Sequence, residues 1–282
     1  MVLLDVVRRL SGVRLIVAHV NHGIRQDAAE DAKLVRRVTM SHNIEYVENV
    51  LHLGERASEE AARKARYNFL RHTCKKYNAL AILTAHHKDD VIETAIMNIQ
   101  RGTGWRGLSS LRSTHEINRP FLTATKSELQ DYAMAHSLQW RHDSTNDNMR
   151  YARNRVRQQL MPQLRHKQRQ ELYEYIVRQN ELTDAIDHEV AAWTQRYCRL
   201  TALGVFLPRY QLLMLPQHVA HETLQNILRH ESGKSMTRPL ANRALLFAKV
   251  AKSHKTFPIN ASWRLRSLPH EIIVERTPLV VS

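Results

Sequence analysis

Three short apolar runs, Val13–Val20, Ile44–Leu51 and Leu80–Ala85, punctuate the first third of the chain. Stretches with helical periodicity separate them, near Asp27–Ser41 and Ser58–Tyr77, and a further helix is predicted over about Asp90–Gln100. This order restricts the fold more than any other feature. Strands separated by whole helices cannot close as hairpins, so each crosses over and pairs parallel to another. The run "LAILTA" is apolar nearly throughout, as a strand covered on both faces should be. The expectation is an α/β, Rossmann-like parallel sheet with helices on both faces and right-handed crossovers.

The opening "MVLLDVVRRL" is itself helical in pattern. Leu3, Leu4, Val6, Val7 and Leu10 share a spacing, Arg8 and Arg9 come where cations suit a helix C-terminus, and Ser11-Gly12 stops it. After Pro120 the alternation ends. A short helix is predicted over about Lys126–Ser137, then the loop "RHDSTNDN", then a basic helix from Arg150 interrupted at Pro162. A long helix follows over about Gln168–Arg199, with further runs at Gln217–His230 and Leu240–Ser253. The stretch "KTFPINASWRLRSLPHEIIVER" alternates apolar and polar residues, which predicts a terminal strand pair. A domain boundary is placed near residue 165, giving domains over 1–165 and 166–282, the second mostly helical.

Charge narrows the partners. Forty-two Lys and Arg against twenty-seven Asp and Glu leave +15 on 282 residues. Such a balance favours a polyanion, most often nucleic acid. Residues 141–180 concentrate it, with nine basic residues against four acidic ones. A solvated basic helix face is the plainer reading of that segment. No apolar run approaches the ~20 residues of a membrane span, so no membrane partner is expected. Cys74 and Cys198 fit no metal or redox spacing, which points to a reducing, cytoplasmic setting.

Two polar clusters follow strands: "AHVNHGIR" (Ala18–Arg25) and "TAHHKDDVIET" (Thr84–Thr94). In an open parallel sheet, ligands bind beyond the carboxyl ends of the strands, so both clusters fall on one edge. That groups His19, Asn21, His22, His86, His87, Asp89, Asp90 and Glu93. Asp90, three residues before Glu93, also has the spacing of a capping box, so a plain helix cap competes with chemistry. His86, His87, Asp89 and Asp90 are possible metal ligands, but adjacent histidines do not easily grip one ion and no permanent metal site is expected. "GTGWRG" (Gly102–Gly107) matches a dinucleotide loop letter for letter, yet it follows a helix instead of a strand and is read as a tight turn. "HDSTNDN…RYARNRVR" puts a polar loop ahead of an arginine-rich helix. Its plain reading is a cap at Ser144 or Thr145 followed by a charged face. Its functional reading aims guanidinium forks at phosphates, with Arg153 and Arg157 on one side.

Taken together, "VAHVNHGIR", "SEEAARKARYNFL", "AHHKDDVIET", "RGTGWRGLSSL", "RPFL" and "DSTN…RNRVR" run in an order that resembles the bacterial tRNA(Ile)-lysidine synthases. These are N-type ATP pyrophosphatases of the PP-loop superfamily. The resemblance covers about residues 1–165. It implies an ATP-dependent ligase that adenylates the 2-carbonyl oxygen of the wobble cytidine in a tRNA(Ile) with a CAU anticodon. The ε-amine of free L-lysine then displaces AMP. It also implies ATP with transient Mg2+. It casts Asp90 and Glu93 as the lysine-handling pair and Asp143 as an acid at the rim of the site. Arg66 and Arg153, with Arg157, His86 and Asp89 beside them, would meet phosphate or substrate, and His19, Asn21 and His22 would line the adenosine. A homodimer is compatible with this reading.

The chain departs from that pattern at its front. Relatives carry a strand and a Ser-Gly-Gly-x-Asp-Ser loop directly before a helix like "MVLLDVVRRL". Backbone N–H groups of such a loop cradle phosphates. Here the first strand and its loop are missing, and the chain holds 8 glycines in all. The expectation is a polypeptide that is unstable or inactive as a synthase, with Met1 an internal methionine of a longer coding region. Two alternatives stand beside the synthase. A thiolase-like PP-loop tRNA modifier fits poorly with two distant cysteines. A non-catalytic basic RNA-binding relative would bind tRNA without ATP–pyrophosphate exchange.

Overall fold

The computed structural model describes residues 1–21, 28–51, 59–141, 148–149, 151–232 and 236–277. The chain forms two compact units, Met1–Asn180 and Glu181–Ser282. Among the described residues no helix is long and apolar enough to cross a membrane.

The first unit follows the predicted alternation: α1 (Val2–Arg8), β1 (Ile16–Asn21), α2 (Ala28–Ser41), β2 (Glu45–Val50), α3 (Glu59–Lys76), β3 (Ile82–Leu83) and α4 (Lys88–Gln100). Then come α5 (Trp105–Leu108), β4 (Ile117–Asn118), α6 (Lys126–Ala135) and α7 (Ala152–Arg155). Pairing is parallel, as expected. Ile16 stands opposite Glu45 and Asn21 opposite Val50, while Ile82 and Leu83 face Ile117 and Asn118.

The strands make two separate two-stranded sheets, β1–β2 and β3–β4, where the apolar pattern alone suggests one. The physical consequence is visible in burial. All six β1 residues are only half-buried. Leu80, read as the start of a doubly covered strand, is 100% exposed, and β3 shrinks to two residues.

α1 is tied down by one carboxylate. Asp5 is buried and accepts hydrogen bonds from Arg8, Arg9 and the Tyr132 hydroxyl of α6, at 2.5 to 3.1 Å. The main apolar core of the unit forms around α4. Val91, Ile92, Ala95 and Met97 pack with Leu111, Val156, Met161 and Ile176. Each such side chain, fully buried, contributes roughly 1.5–3 kcal/mol.

The long helix α8 (His166–Tyr197) spans the division at residue 180. That is further along than the expected 165. Leu172, Tyr173 and Ile176 in its first turns pack into the α4 core, and so belong to the first unit.

The second unit contains β5 (Arg199–Thr201), β6 (Gly204–Pro208), α9 (Arg209–Met214), α10 (Gln217–Ser232), α11 (Arg238–Val250), β7 (Thr256–Pro258), β8 (Trp263–Ser267) and β9 (Glu271–Arg276). Its helices fall close to the predicted runs. The predicted strand pair is instead part of a five-stranded antiparallel sheet in the order β5-β6-β9-β8-β7. Leu224 and Leu228 of α10 and Ala241, Ala244, Leu245 and Ala248 of α11 form apolar stripes at helical spacing. They share one core with Leu207, Leu265, Ile272 and Val274 of the sheet.

Candidate functional site

The first turn of α4 carries the densest set of predicted residues. Asp90 Oδ2 accepts the backbone N–H of His87 at 2.9 Å, so Asp90 is the third residue of a capping box that starts at His87, where its spacing to Glu93 suggested Asp90 as the cap itself. Asp89 Oδ2 accepts the Lys126 N–H at 3.0 Å and so pins the start of α6 to that of α4. Both acids therefore have structural work that the sequence reading weighed against chemistry.

Glu93 lies one turn on and is 1% exposed. A buried carboxylate needs charged partners, and two arginines supply them. Arg157 donates Nε to Glu93 Oε1 at 2.8 Å and Nη2 to Oε2 at 2.9 Å, a two-pronged fork. Arg153 adds Nε to Oε2 at 3.0 Å and reaches the Thr94 hydroxyl at 3.3 Å. Both guanidinium groups also stand 3.4 Å from Asp90 Oδ1.

Residues four apart share a helix face, which brings Arg153 and Arg157 to one carboxylate. α7 runs into a π-helical turn, Val156–Leu160, and then a 3-10 turn, Met161–Gln163, which holds Pro162. A wider π turn changes the angle at which Arg157 leaves the helix, and such turns recur at functional sites. The basic helix predicted from Arg150, with its interruption at Pro162, is thus an α, a π and a 3-10 turn in succession.

Charge balance shifts the titration of these groups. Burial alone raises the Asp90 carboxyl, but His87, Arg153 and the His87 backbone N–H outweigh it and hold Asp90 below the usual carboxylate range. Burial lowers the Arg157 guanidinium, while the Glu93 hydrogen bond and charge more than restore it. His86 falls to about 4, chiefly through burial, with Arg119, Arg153 and Arg66 adding repulsion and Asp90 opposing. Its Nδ1 lies 2.9 Å from the Thr84 hydroxyl. Arg66 is lowered by burial first, then by the nearby positive charges of Arg63 and Arg153. The site is therefore a neutralised acid–arginine knot beside an excess of positive charge.

A cavity of about 650 Å3 opens next to the knot. Glu93, Asp89, His87 and Lys88 line it from α4, Thr125, Lys126 and Glu128 from α6, and Arg157, His166, Arg169 and Gln170 from the later segment. Lys88 Nζ donates to Gln170 Oε1 and sits 4.8 Å from the Tyr173 ring centre. Among the described residues no three His, Cys, Asp or Glu side chains converge on a point that could hold a metal ion.

The structure thus brings Asp90, Glu93, Arg153 and Arg157 into contact, with His86 and Arg66 in the same field. His19 has other neighbours. Its ring stacks on Tyr46 at 6.5 Å, and its charged surroundings are Glu48 and Asp31. Asn21 ends β1 opposite Val50. His22 and Asp143 lie outside the described residues.

Two residues were given no role in the sequence reading. Lys88 is one. The other is Arg119, buried after β4, whose Nη1 donates to the Arg112 carbonyl oxygen and whose charge acts on His86. Its signal was the arginine of the "RPFL" run, which the resemblance includes without a role for it.

The front of "GTGWRG" is a turn, as read, and its Trp105–Gly107 part lies in α5. Gly102 and Gly104 take φ of +68° and +67° after α4 ends, a region that favours glycine. A Cβ on Gly107 would lie 1.6 Å from Thr103 Oγ1.

A family model described as a PP-loop domain matches residues 1–164. A tRNA(Ile)-lysidine synthase from Thermotoga maritima is 36% identical over 172 residues, covering 57% of this chain and 42% of that protein. Another, from Clostridium tetani, is 33% identical over 201 residues, covering 67% and 43%. The chain spans about two fifths of the length of these curated relatives. Among solved structures, the U34-tRNA thiolase NcsA from Methanococcus maripaludis, with its 4Fe-4S cluster, superimposes with a TM-score of 0.52 at 18% identity. That likeness, one of fold, covers 64% of this chain and 66% of that one.

Proposed function

The chain belongs to the PP-loop domain family, and from that premise we propose that its site is built to modify tRNA: ATP-dependent ligation of lysine to the wobble cytidine of a CAU-anticodon tRNA(Ile). The observation that carries the proposal is the pairing of Asp90 and Glu93 with Arg153 and Arg157, of which Glu93 and Arg157 line the 650 Å3 cavity. The names of relatives one third identical across the same region support it.

The proposed chemistry has two displacements. The cytidine 2-oxygen attacks the α-phosphorus of ATP and pyrophosphate leaves. The lysine ε-amine then attacks C2, the C2–O bond breaks, and AMP departs with the oxygen. A ring carbonyl oxygen leaves poorly unless activated in this way.

Arg66, Arg119 and Arg153 around a neutral His86 form a region with excess positive charge, which fits ATP phosphates. Asp90 and Glu93 fit the ammonium of lysine in charge and size. As they stand, both carboxylates are occupied by arginine. We assign the phosphates the role of drawing Arg153 and Arg157 away, so that nucleotide precedes lysine. Mg2+ would arrive on the phosphates, whose oxygens are the hard ligands it prefers. In this assignment residues 1–165 carry catalysis, Asp143 and the His19–His22 region serve it from the rim, and residues 166–282 bind tRNA.

These 282 residues hold no Ser-Gly-Gly-x-Asp-Ser run. The proposed adenylation is a property to be measured on the 282-residue polypeptide itself. The test compares it with the same chain carrying such a strand and loop ahead of Met1. Lysidine formed by the extended chain, and lost in its Asp90→Ala variant while tRNA binding survives, supports the reading. Product formation unchanged by that substitution rules out the role given to Asp90.

A thiolase chemistry is less well supported. Iron–sulfur clusters are commonly held by four thiolates, and this sequence has two cysteines. Cys74 Sγ bonds the Ala79 carbonyl oxygen, and burial pushes the Cys198 thiol up to about 12.

A further inference from the structure

A second cavity, of about 400 Å3, lies between α2 and the segment after α6. We propose that it is a binding pocket for one unpaired nucleobase of an RNA, with Trp140 as the stacking platform. The proposal rests on the RNA-binding part of the function above and not on the ligation chemistry.

Trp140 is 49% exposed. Tryptophan usually buries most of its large ring, and a half-open indole in a concavity offers a flat face to a planar ligand. The walls carry hydrogen-bonding groups of both kinds. Glu30 presents acceptors, Arg37 and Arg141 present donors, and the Gln139 amide presents both. Leu34 and Leu138 supply the apolar remainder.

The walls are also held in place. Arg141 Nε donates to Asp31 Oδ1 at 2.9 Å, which ties the Trp140 segment to α2. Glu30 is fixed by Lys33 at 2.7 Å. Unpaired RNA bases are recognised by this combination of an aromatic face with donors and acceptors for the base edge, and guanidinium groups nearby suit the flanking phosphate. A chain with net charge +15 brings such a polyanion to its surface. A duplex keeps its bases stacked and cannot offer one to the pocket.

The test measures binding of the 282-residue chain to a CAU-anticodon tRNA transcript and to a fully paired RNA duplex, at several salt concentrations. Trp140→Ala should weaken transcript binding about 5- to 150-fold, the range for loss of one stacked base. Its salt slope and its duplex affinity should stay unchanged, and Trp140→Phe should restore binding to within about threefold. Equal transcript affinity for Trp140→Ala and wild type overturns the pocket. So does an equal loss on transcript and duplex, which marks a fold or bulk-charge effect. Wild type that ignores the transcript overturns the pocket and the tRNA reading together. Transcript binding that depends on Trp140, without lysidine from the extended chain, leaves the pocket standing and removes the ligation.

Discussion

Arg157 grips Glu93 with two nitrogens, Nε at 2.8 Å and Nη2 at 2.9 Å, while Arg153 holds the same carboxylate from a second position at 3.0 Å. Glu93 is almost wholly enclosed, so these partners are what allow its charge inside the core. Removing the carboxylate strands two half-buried guanidinium groups. Glu93→Ala should therefore destabilise the first unit by about 3–5 kcal/mol. Arg157→Lys should cost less, about 1–3 kcal/mol, because a point charge keeps one contact and loses the fork. Urea unfolding followed by circular dichroism measures both. Equal midpoints for wild type and Glu93→Ala would mean that the knot does not hold the fold.

Asp90 serves the backbone and, as proposed, the substrate, and two substitutions separate these roles. Asparagine keeps an oxygen for the His87 N–H and loses only the charge facing Arg153 and Arg157, so Asp90→Asn should cost less stability than Asp90→Ala. Alanine removes the cap and should cost about 0.5–2 kcal/mol. In the extended chain both should abolish lysidine formation, since neither presents a carboxylate to an ammonium. Product from Asp90→Asn at the wild-type rate would reduce Asp90 to a helix cap.

The sequence made the parallel alternation legible because periods of two and of 3.6 residues differ plainly over short windows. The same pattern could not give the number of sheets. Pairing depends on strands finding neighbours, and among the described residues β1 and β3 each pair on one edge only. In the second unit, β8 shows clean alternation through Trp263, Leu265 and Ser267, whereas β5 has three residues and β6, buried at Val205, Phe206 and Leu207 in succession, does not alternate. At the site, "DDVIET" and "RNRVR" announced their acids and arginines, but nothing in their spacing said that the two motifs neutralise each other. That contact spans some sixty residues. Arg119 and the Trp140 pocket stayed hidden for the same reason: their neighbours come from distant segments.

His86 gives the first unit an acid sensitivity well above the usual carboxylate range. Its folded pKa, about 4, lies below the 6.5 of a free imidazole. The unfolded chain therefore takes up the proton first, so the stability His86 contributes is whole above pH 6.5 and is lost as pH falls toward 4. The loss is on the order of 3 kcal/mol. Asp90, whose folded pKa is depressed below 3.8, loses its contribution in the same direction but at lower pH. His86→Gln should flatten the fall in urea midpoint between pH 6.5 and 4, and an equally steep fall in that variant would assign the sensitivity elsewhere.

The order of ligand binding follows from which groups are occupied. Lysine cannot place its ammonium against Glu93 while Arg153 and Arg157 fill that carboxylate's hydrogen-bonding directions. A third cation added to two would also meet their repulsion. ATP phosphates offer the guanidinium groups a stronger, dianionic partner, and each arginine that turns to them frees a carboxylate oxygen. In the extended chain, lysine binding measured by calorimetry should strengthen at least about tenfold when a non-hydrolysable ATP analogue is present, a coupling of about 1.4 kcal/mol. Linkage requires the reverse effect, so lysine should tighten the analogue by the same factor. Arg157→Met, which removes one competitor in advance, should bind lysine more tightly than wild type without nucleotide and gain less from adding it. Lysine affinity that is the same with and without the analogue, in wild type and variant alike, would show that the arginines do not guard the acid pair.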